Sequence, residues 1–215
     1  MALDAIALKL VAPHLAGATV LCLGYPDLVM EPSIVGAILK IQPRLFTEHG
    51  AAHKLKYGLA ETCESFRQAG AVQVTCVDIK PSRGCERVLD LNVAQSWDRL
   101  FSLVIDAGTI EHCFNVGQAF ANAWSAVEVG GVIVHVSPLS MQNHGFFNVC
   151  PTAYNDFYQA NSGDLIAMQA ATRTGQDVPI SLTKRFAVDG EAVVCCAVRK
   201  TSNTPIVWPT QFKYQ

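Results

Sequence analysis

The chain is poor in charge and carries no excess of either sign. Only 16% of its 215 residues are charged, and 16 Lys and Arg stand against 18 Asp and Glu, for a formal net charge of -2. That balance offers no basic footprint for a phosphate backbone, which argues against nucleic acid as a partner. No apolar run reaches the roughly eighteen residues that a membrane span needs. The opening Met1-Ala-Leu-Asp-Ala-Ile has an acid at Asp4 and lacks the basic front end of a secretory leader. A soluble, cytoplasmic protein with no membrane partner is the expectation. The 8 cysteines include no C-x-x-C pair, so they signal no structural zinc site and read as small, reduced hydrophobes. Repeats and low-complexity tracts are absent from the sequence, and the dinucleotide fingerprint G-x-G-x-x-G does not follow the first strand.

What is present is apolar and alternating. Half of the residues are hydrophobic, which excludes disorder, and the length fits one domain with a full core. Helical spacing marks residues 4–15, 33–40, 57–69, 116–128 and 152–159, with Gly130-Gly131 closing the fourth of these. Short apolar runs at 18–23, 72–77, 87–91, 102–106 and 132–136 read as buried strands. Residues 181–188 and 192–199, joined at Asp189-Gly190, read as a terminal hairpin. Cys195 and Cys196 are neighbours in that strand and should face opposite sides of the sheet. The order predicts a doubly wound, Rossmann-like α/β fold: a mixed sheet with helices on both faces and a C-terminal antiparallel hairpin.

In such a sheet, ligands bind beyond the carboxyl ends of the strands, near the point where the winding reverses. The first strand ends in Gly24-Tyr-Pro-Asp27, the second in Asp78, the third in Asp90-Leu-Asn92, the fourth in Asp106-Ala-Gly108 and the fifth in Ser137-Pro138. A carboxylate at Asp78 is placed to accept both hydroxyls of a ribose, and Asp90 to accept an adenine amine. A plain turn is the alternative reading for either residue. Gly24 permits close backbone approach to a ligand.

The run Asp106-Ala-Gly-Thr-Ile-Glu-His112, followed by a helix, Val129-Gly-Gly131 and a strand, resembles the middle of class I S-adenosylmethionine-dependent methyltransferases. Leu23-Gly24, Asp78, Asp90-Leu91 and Asp106 follow in that family's order, so the resemblance spans roughly residues 18–160. It implies a seven-stranded sheet and S-adenosylmethionine as cofactor. Carried over, the cofactor motifs fall on Gly24, Tyr25, Pro26, Asp78, Ile79, Asp90, Leu91, Asn92, Asp106, Ala107 and Gly108. The family's G-x-G-x-G loop is replaced here by Gly24-Tyr-Pro-Asp27. Asp78 also comes far later than the roughly twenty residues usual in dinucleotide folds, so residues 27–58 read as an insertion, a lid or a dimer contact.

Methyl transfer to an oxygen or nitrogen of a small-molecule acceptor needs alignment and a base. His112 after the fourth strand and His144 after the fifth are the candidate bases. Asn143, Phe146, Phe147, Tyr154 and Tyr158 are candidates to hold the acceptor, although aromatics at helical spacing also suit a core. His135 lies inside a strand and reads as a core histidine. His49 and His53 are spaced for one helical face, but no third ligand accompanies them, and no metal is expected. Two other readings stay open: a non-catalytic binding or assembly protein on the same fold, and a nicotinamide-dependent oxidoreductase. Oligomeric state is likewise open, a homodimer included.

Overall fold

The computed structural model describes residues 2–46 and 58–214. The candidate helix start at Tyr57 and the pair His49 and His53 lie outside the described residues. Chain order runs β1 (Ala2–Leu3), α1 (Ala5–Val11), β2 (Thr19–Leu23), β3 (Asp27–Leu28), α2 (Pro32–Leu39), α3 (Thr62–Gln68), β4 (Gln73–Asp78), β5 (Arg87–Val88) and β6 (Phe101–Ala107). It continues with α4 (Val116–Ala126), β7 (Val127–Pro138), α5 (Pro151–Ala160), β8 (Gly163–Thr172), β9 (Asp177–Val178) and β10 (Ala192–Lys200). No helix among the described residues is long and apolar enough to cross a membrane.

Eight strands form the main sheet in the order β5-β4-β2-β6-β7-β10-β8-β9. The five on the β5 side are parallel; β10 runs antiparallel to both β7 and β8. Chain order turns back between β2 and β6, which places the switch point and its crevice at their carboxyl ends. Alternation along β2 explains why its run from Val20 to Leu23 is apolar: Val20 and Cys22 enter one core cluster with α1, α2 and α3 residues, while Leu21 and Leu23 enter the other. Trp124 of α4 and Tyr158 of α5 fill that second cluster. Cys195 and Cys196 divide in the same way between the two faces.

The Rossmann-like mixed sheet is as expected, with the two-residue β9 as an eighth strand at its far edge. Two expectations about its parts need correction. The antiparallel partner of β10 is β8, residues 163–172, and residues 181–188 form no strand. β8 is only partly buried, so its side chains carry a weak apolar pattern, and the ladder to β10 specifies it instead. The Gly130-Gly131 pair also does not close α4. The helix stops at Ala126 and β7 runs through both glycines. A Cβ on Gly131 would stand 2.8 Å from Val127 Cγ2 and 2.9 Å from Ser102 O, so close strand contact requires that glycine. The end of α4 is met from β10, where Lys200 Nζ donates to Trp124 O of its last turn at 2.9 Å and to Val127 O at the start of β7 at 3.0 Å.

The described part of the insertion is packed into the body of the fold. β3 pairs with β1, and Leu28, Met30, Val35 and Leu39 join the cluster on the α1 face.

Candidate functional site

Gly24 ends β2 at a φ of 76° and Gly108 follows β6 at 87°, backbone geometry that glycine adopts without strain. Between these turns the Thr109 hydroxyl donates to Leu23 O, and Gly24 N donates to Val77 O at 2.6 Å. The loop that replaces the glycine-rich one is pinned by its own side chains. Tyr25 is buried in the α1-side cluster, where its hydroxyl donates to Glu61 Oε1 at 2.7 Å and accepts from Thr62 N at 3.0 Å. Thr62 Oγ1 donates to Pro26 O at 2.7 Å. Arg83 Nη2 grips both oxygens of Asp27, at 2.5 and 2.6 Å, and its guanidinium lies 5.5 Å from the Tyr25 ring centroid. Burial, with lesser help from Cys63 and Glu61, raises the Tyr25 pKa.

At the β4 end Asp78 Oδ1 accepts from Lys80 N at 3.1 Å, while the Ile79 side chain is exposed. Asp90 Oδ1 accepts from Asn92 N at 2.9 Å and Asn92 Nδ2 at 2.8 Å, bonds that lower its pKa. Among the described residues no hydrogen bond engages Oδ2 of either aspartate. Leu91 is core. Asn92 Oδ1 accepts from Asn115 N at 2.9 Å, and Asn115 caps α4 by accepting from Gln118 N at 3.3 Å. The Asp90 turn is thereby tied to the start of α4.

Asp106 is placed differently from the other strand-end acids. Its carboxyl is wholly buried, accepting from Thr109 N at 2.9 Å and Ile110 N at 3.3 Å and pairing with His135 Nδ1 at 2.8 Å. His135 Nε2 in turn meets the Tyr158 hydroxyl. The carboxylate expected on the cofactor side is therefore turned inward, because the buried His135 requires a partner. Only the backbone of Ala107 and Gly108 remains at that strand end. Tyr154 and Tyr158 also need correction: both lie in the core against Phe120 and His135, where aromatic packing rather than an acceptor pocket places them.

The candidate bases do meet. His112 ends the short 3-10 turn Ile110–His112, and its ring centroid lies 5.2 Å from that of His144. Partial burial, then the neighbouring His144, lowers the His112 pKa below 6.5. The residue that joins them in the structure, Glu111, is no candidate in the sequence. Glu111 is wholly buried; its Oε2 accepts weakly from Ser137 Oγ at 3.4 Å, and Oε1 has no hydrogen-bond partner. His144 Nε2 stands 3.7 Å from that oxygen. Burial, then the Asp106 charge, raises the Glu111 pKa from 4.5 to about 8. The only sequence signal was its place directly before His112.

The His144 loop is fastened to the same residue. Phe146 N and Phe147 N both donate to Glu111 O, at 2.9 and 3.3 Å, and Gly145 passes so close that a Cβ would stand 2.8 Å from that oxygen. Asn143 occupies the turn at a φ of 59°, a conformation asparagine tolerates better than most residues. Phe146 is exposed beside Phe114. Phe147 lines a cleft of about 390 Å3 with Val116, Phe120, Val149, Thr152 and Asp156. The Cys113 thiol, one residue beyond His112, lies in the field of all four acids. Burial, then Asp106, Asp90, Glu111 and Asp78, pushes it up to about 12.

Two groups of side chains among the described residues could hold a metal ion: Glu111, His112 and His144, and separately Cys63, Cys76 and Cys85. The three thiols come from α3, β4 and the turn after β4, which is why no sequence spacing marks them.

This strand order, with the crevice at its reversal and an antiparallel pair beyond β7, defines the fold of class I S-adenosylmethionine-dependent methyltransferases. No family model and no curated protein matches the sequence. Among solved structures, the chain is similar to the N-methyltransferase NodS from Bradyrhizobium japonicum WM9 in complex with S-adenosylhomocysteine. They share 13% identity over 92% of this chain and 84% of that one, with a TM-score of 0.53. The 1,6-didemethyltoxoflavin-N1-methyltransferase of Burkholderia thailandensis, also with S-adenosylhomocysteine, matches at 15% identity over 92% and 77%, TM-score 0.52. The [4+2]-cyclase SpnF matches at 9% identity over 93% and 81%, TM-score 0.54. At such identities the likeness is one of fold, and the cyclase illustrates that this fold hosts more than one reaction.

Proposed function

We propose that this chain is a cytoplasmic S-adenosylmethionine-dependent methyltransferase that acts on an oxygen or nitrogen of a small-molecule acceptor. The observation that carries the reading is a division of the crevice into two sides. Asp78 and Asp90 stand on one side, each with Oδ1 spent on its own turn. Glu111, His112 and His144 stand on the other, and the Asn92–Asn115 contact braces the two together. The first side suits a nucleoside: Asp78 would hold the ribose hydroxyls and Asp90 the adenine amine, with the Gly24 and Gly108 turns admitting close backbone approach. When bound, S-adenosylmethionine supplies a methyl group on a positively charged sulfur.

The protein's own task is then alignment and proton removal. The cleft beside Phe147 and the exposed ring of Phe146 would seat the acceptor, oriented by Asn143. His112, kept neutral near pH 7 by its lowered pKa, and His144 are the groups positioned to take the acceptor's proton. The free cysteines accord with a reducing compartment.

Calorimetric titration with S-adenosylmethionine, S-adenosylhomocysteine and a nicotinamide dinucleotide tests the reading. Binding of the first two alone is expected. Binding of none would favour a non-catalytic assembly protein, and binding of the dinucleotide alone an oxidoreductase. Asp78→Ala should weaken S-adenosylhomocysteine by about 1–3 kcal/mol, the worth of charge-assisted hydrogen bonds. Unchanged affinity removes Asp78 from the ribose. His144→Ala should reduce turnover far more than cofactor affinity.

A further inference from the structure

The Glu111 side chain poses a physical problem. A carboxyl that is wholly buried, with one oxygen lacking any hydrogen-bond partner, is costly to keep unless something compensates it. The fold nevertheless spends several contacts on holding two imidazoles over it. Phe146 N and Phe147 N bind Glu111 O, Gly145 gives up its side chain to let the loop lie flat on that residue, and His112 is its immediate neighbour. The outcome is one carboxylate oxygen and two imidazole nitrogens all within 4.8 Å of one another.

We propose that Glu111, His112 and His144 bind a divalent first-row transition cation such as Zn2+, Mn2+ or Co2+. Two imidazoles and a carboxylate are a donor set for these ions rather than for Ca2+ or Mg2+, which prefer oxygen alone. Donors around a tetrahedral ion with bonds of about 2.0–2.1 Å stand about 3.4 Å apart. His144 Nε2 and Glu111 Oε1 are already 3.7 Å apart, and the three ligand atoms lie within 4.8 Å of one another. Glu111 is the fixed ligand of the set, held by its burial. Three protein donors leave a coordination position open, as in catalytic rather than structural sites. That position would take the acceptor's oxygen or nitrogen, and the ion, by acidifying that group, would replace the base role that the two imidazoles have without it; this last point rests on the methyltransferase reading, whereas ion binding does not.

The thiols of Cys63, Cys76 and Cys85 are the competing site, so Co2+ is the informative probe because thiolate ligation gives it intense charge-transfer absorption. The full chain, stripped with chelator and kept reduced, is titrated with Co2+ by calorimetry and by absorbance, alone and with S-adenosylhomocysteine. One Co2+ per chain without thiolate absorption is expected. Affinity should fall more than about tenfold in Glu111→Gln and in His144→Ala and stay unchanged in Cys85→Ser, with circular dichroism confirming that each variant is folded. No binding by the wild-type chain overturns the proposal and leaves the imidazoles as free bases. Binding that survives Glu111→Gln and His144→Ala but is lost in Cys85→Ser also overturns it, because the ion then sits on the thiols. If Co2+ binds as expected while S-adenosylhomocysteine does not, the ion site stands and the methyltransferase reading falls. Nucleotide binding without Co2+ gives the reverse result.

Discussion

Adding a single carbon at Gly145 tests how the His144 loop is held. Gly145 has no positive φ, so replacement by alanine brings no backbone strain and its effect is a matter of contact alone. The new Cβ would stand 2.8 Å from Glu111 O, 3.0 Å from its Cγ and 3.1 Å from its carbonyl carbon. Carbon–oxygen contacts normally begin at about 3.3 Å, so the loop must lift by about half an ångström. The oxygen it lifts from is the acceptor for Phe146 N and Phe147 N, and the second bond, already 3.3 Å long, goes first. At about 0.5–1.5 kcal/mol per bond the variant should lose about 1–3 kcal/mol. In a chain of this size that corresponds to a fall of about 3–10 °C in Tm. Thermal and urea unfolding of Gly145→Ala measure this directly. Gly117→Ala is the control: there a Cβ meets only the Trp208 ring at 3.4 Å, and alanine favours the α4 helix. Stability of Gly145→Ala within about 0.5 kcal/mol of wild type, or an equal loss in Gly117→Ala, would refute the account of the loop.

Three further outcomes are expected. His135→Phe should cost about 3–5 kcal/mol, because it leaves the Asp106 carboxylate buried without its imidazole; urea unfolding reads this, and a neutral result would deny the pair its anchoring role. Arg83→Ala removes both bonds to Asp27 and should destabilise by about 3 kcal/mol; no change in the urea midpoint would contradict a pinned loop. Stability should also decline as pH rises above about 9. Burial pushes Cys195 up to about 12 and raises Cys196, Tyr154 and Tyr158 as well. The unfolded chain then releases protons that the folded one retains, and each such group contributes up to about 1.4 kcal/mol per pH unit against folding. Urea midpoints that are equal at about pH 8 and about pH 10 would contradict this.

The parts of the fold visible in the sequence were those whose side chains are dictated by burial on both faces. The centres of β2 and β6, Val20–Leu23 and Leu103–Ile105, are apolar residue after residue because each side chain meets one helical layer or the other, and that pattern depends on nothing distant. β8 is not visible, since most of its side chains are only partly buried and backbone pairing to β10 defines it. The glycine pair at 130–131 reads equally as a helix stop or a close strand contact, since both ask for glycine, and only the position of Ser102 O distinguishes them. At the site, His112 and His144 stood out by residue type. Glu111 did not, because its importance lies in being buried beneath a loop more than thirty residues further along the chain. Asp106 looked like its neighbours at the strand ends until His135, 29 residues away, proved to hold it.

The clasp of Arg83 on Asp27, together with Tyr25 on Glu61 and Thr62, sets the rim of the crevice before anything arrives. An incoming molecule would have little chain to order there, so the entropic toll of association would be small and its rate governed mainly by encounter and orientation. Bound and empty forms should then nearly superimpose along residues 24–27, and whatever discrimination the protein exercises must reside in the opposite wall.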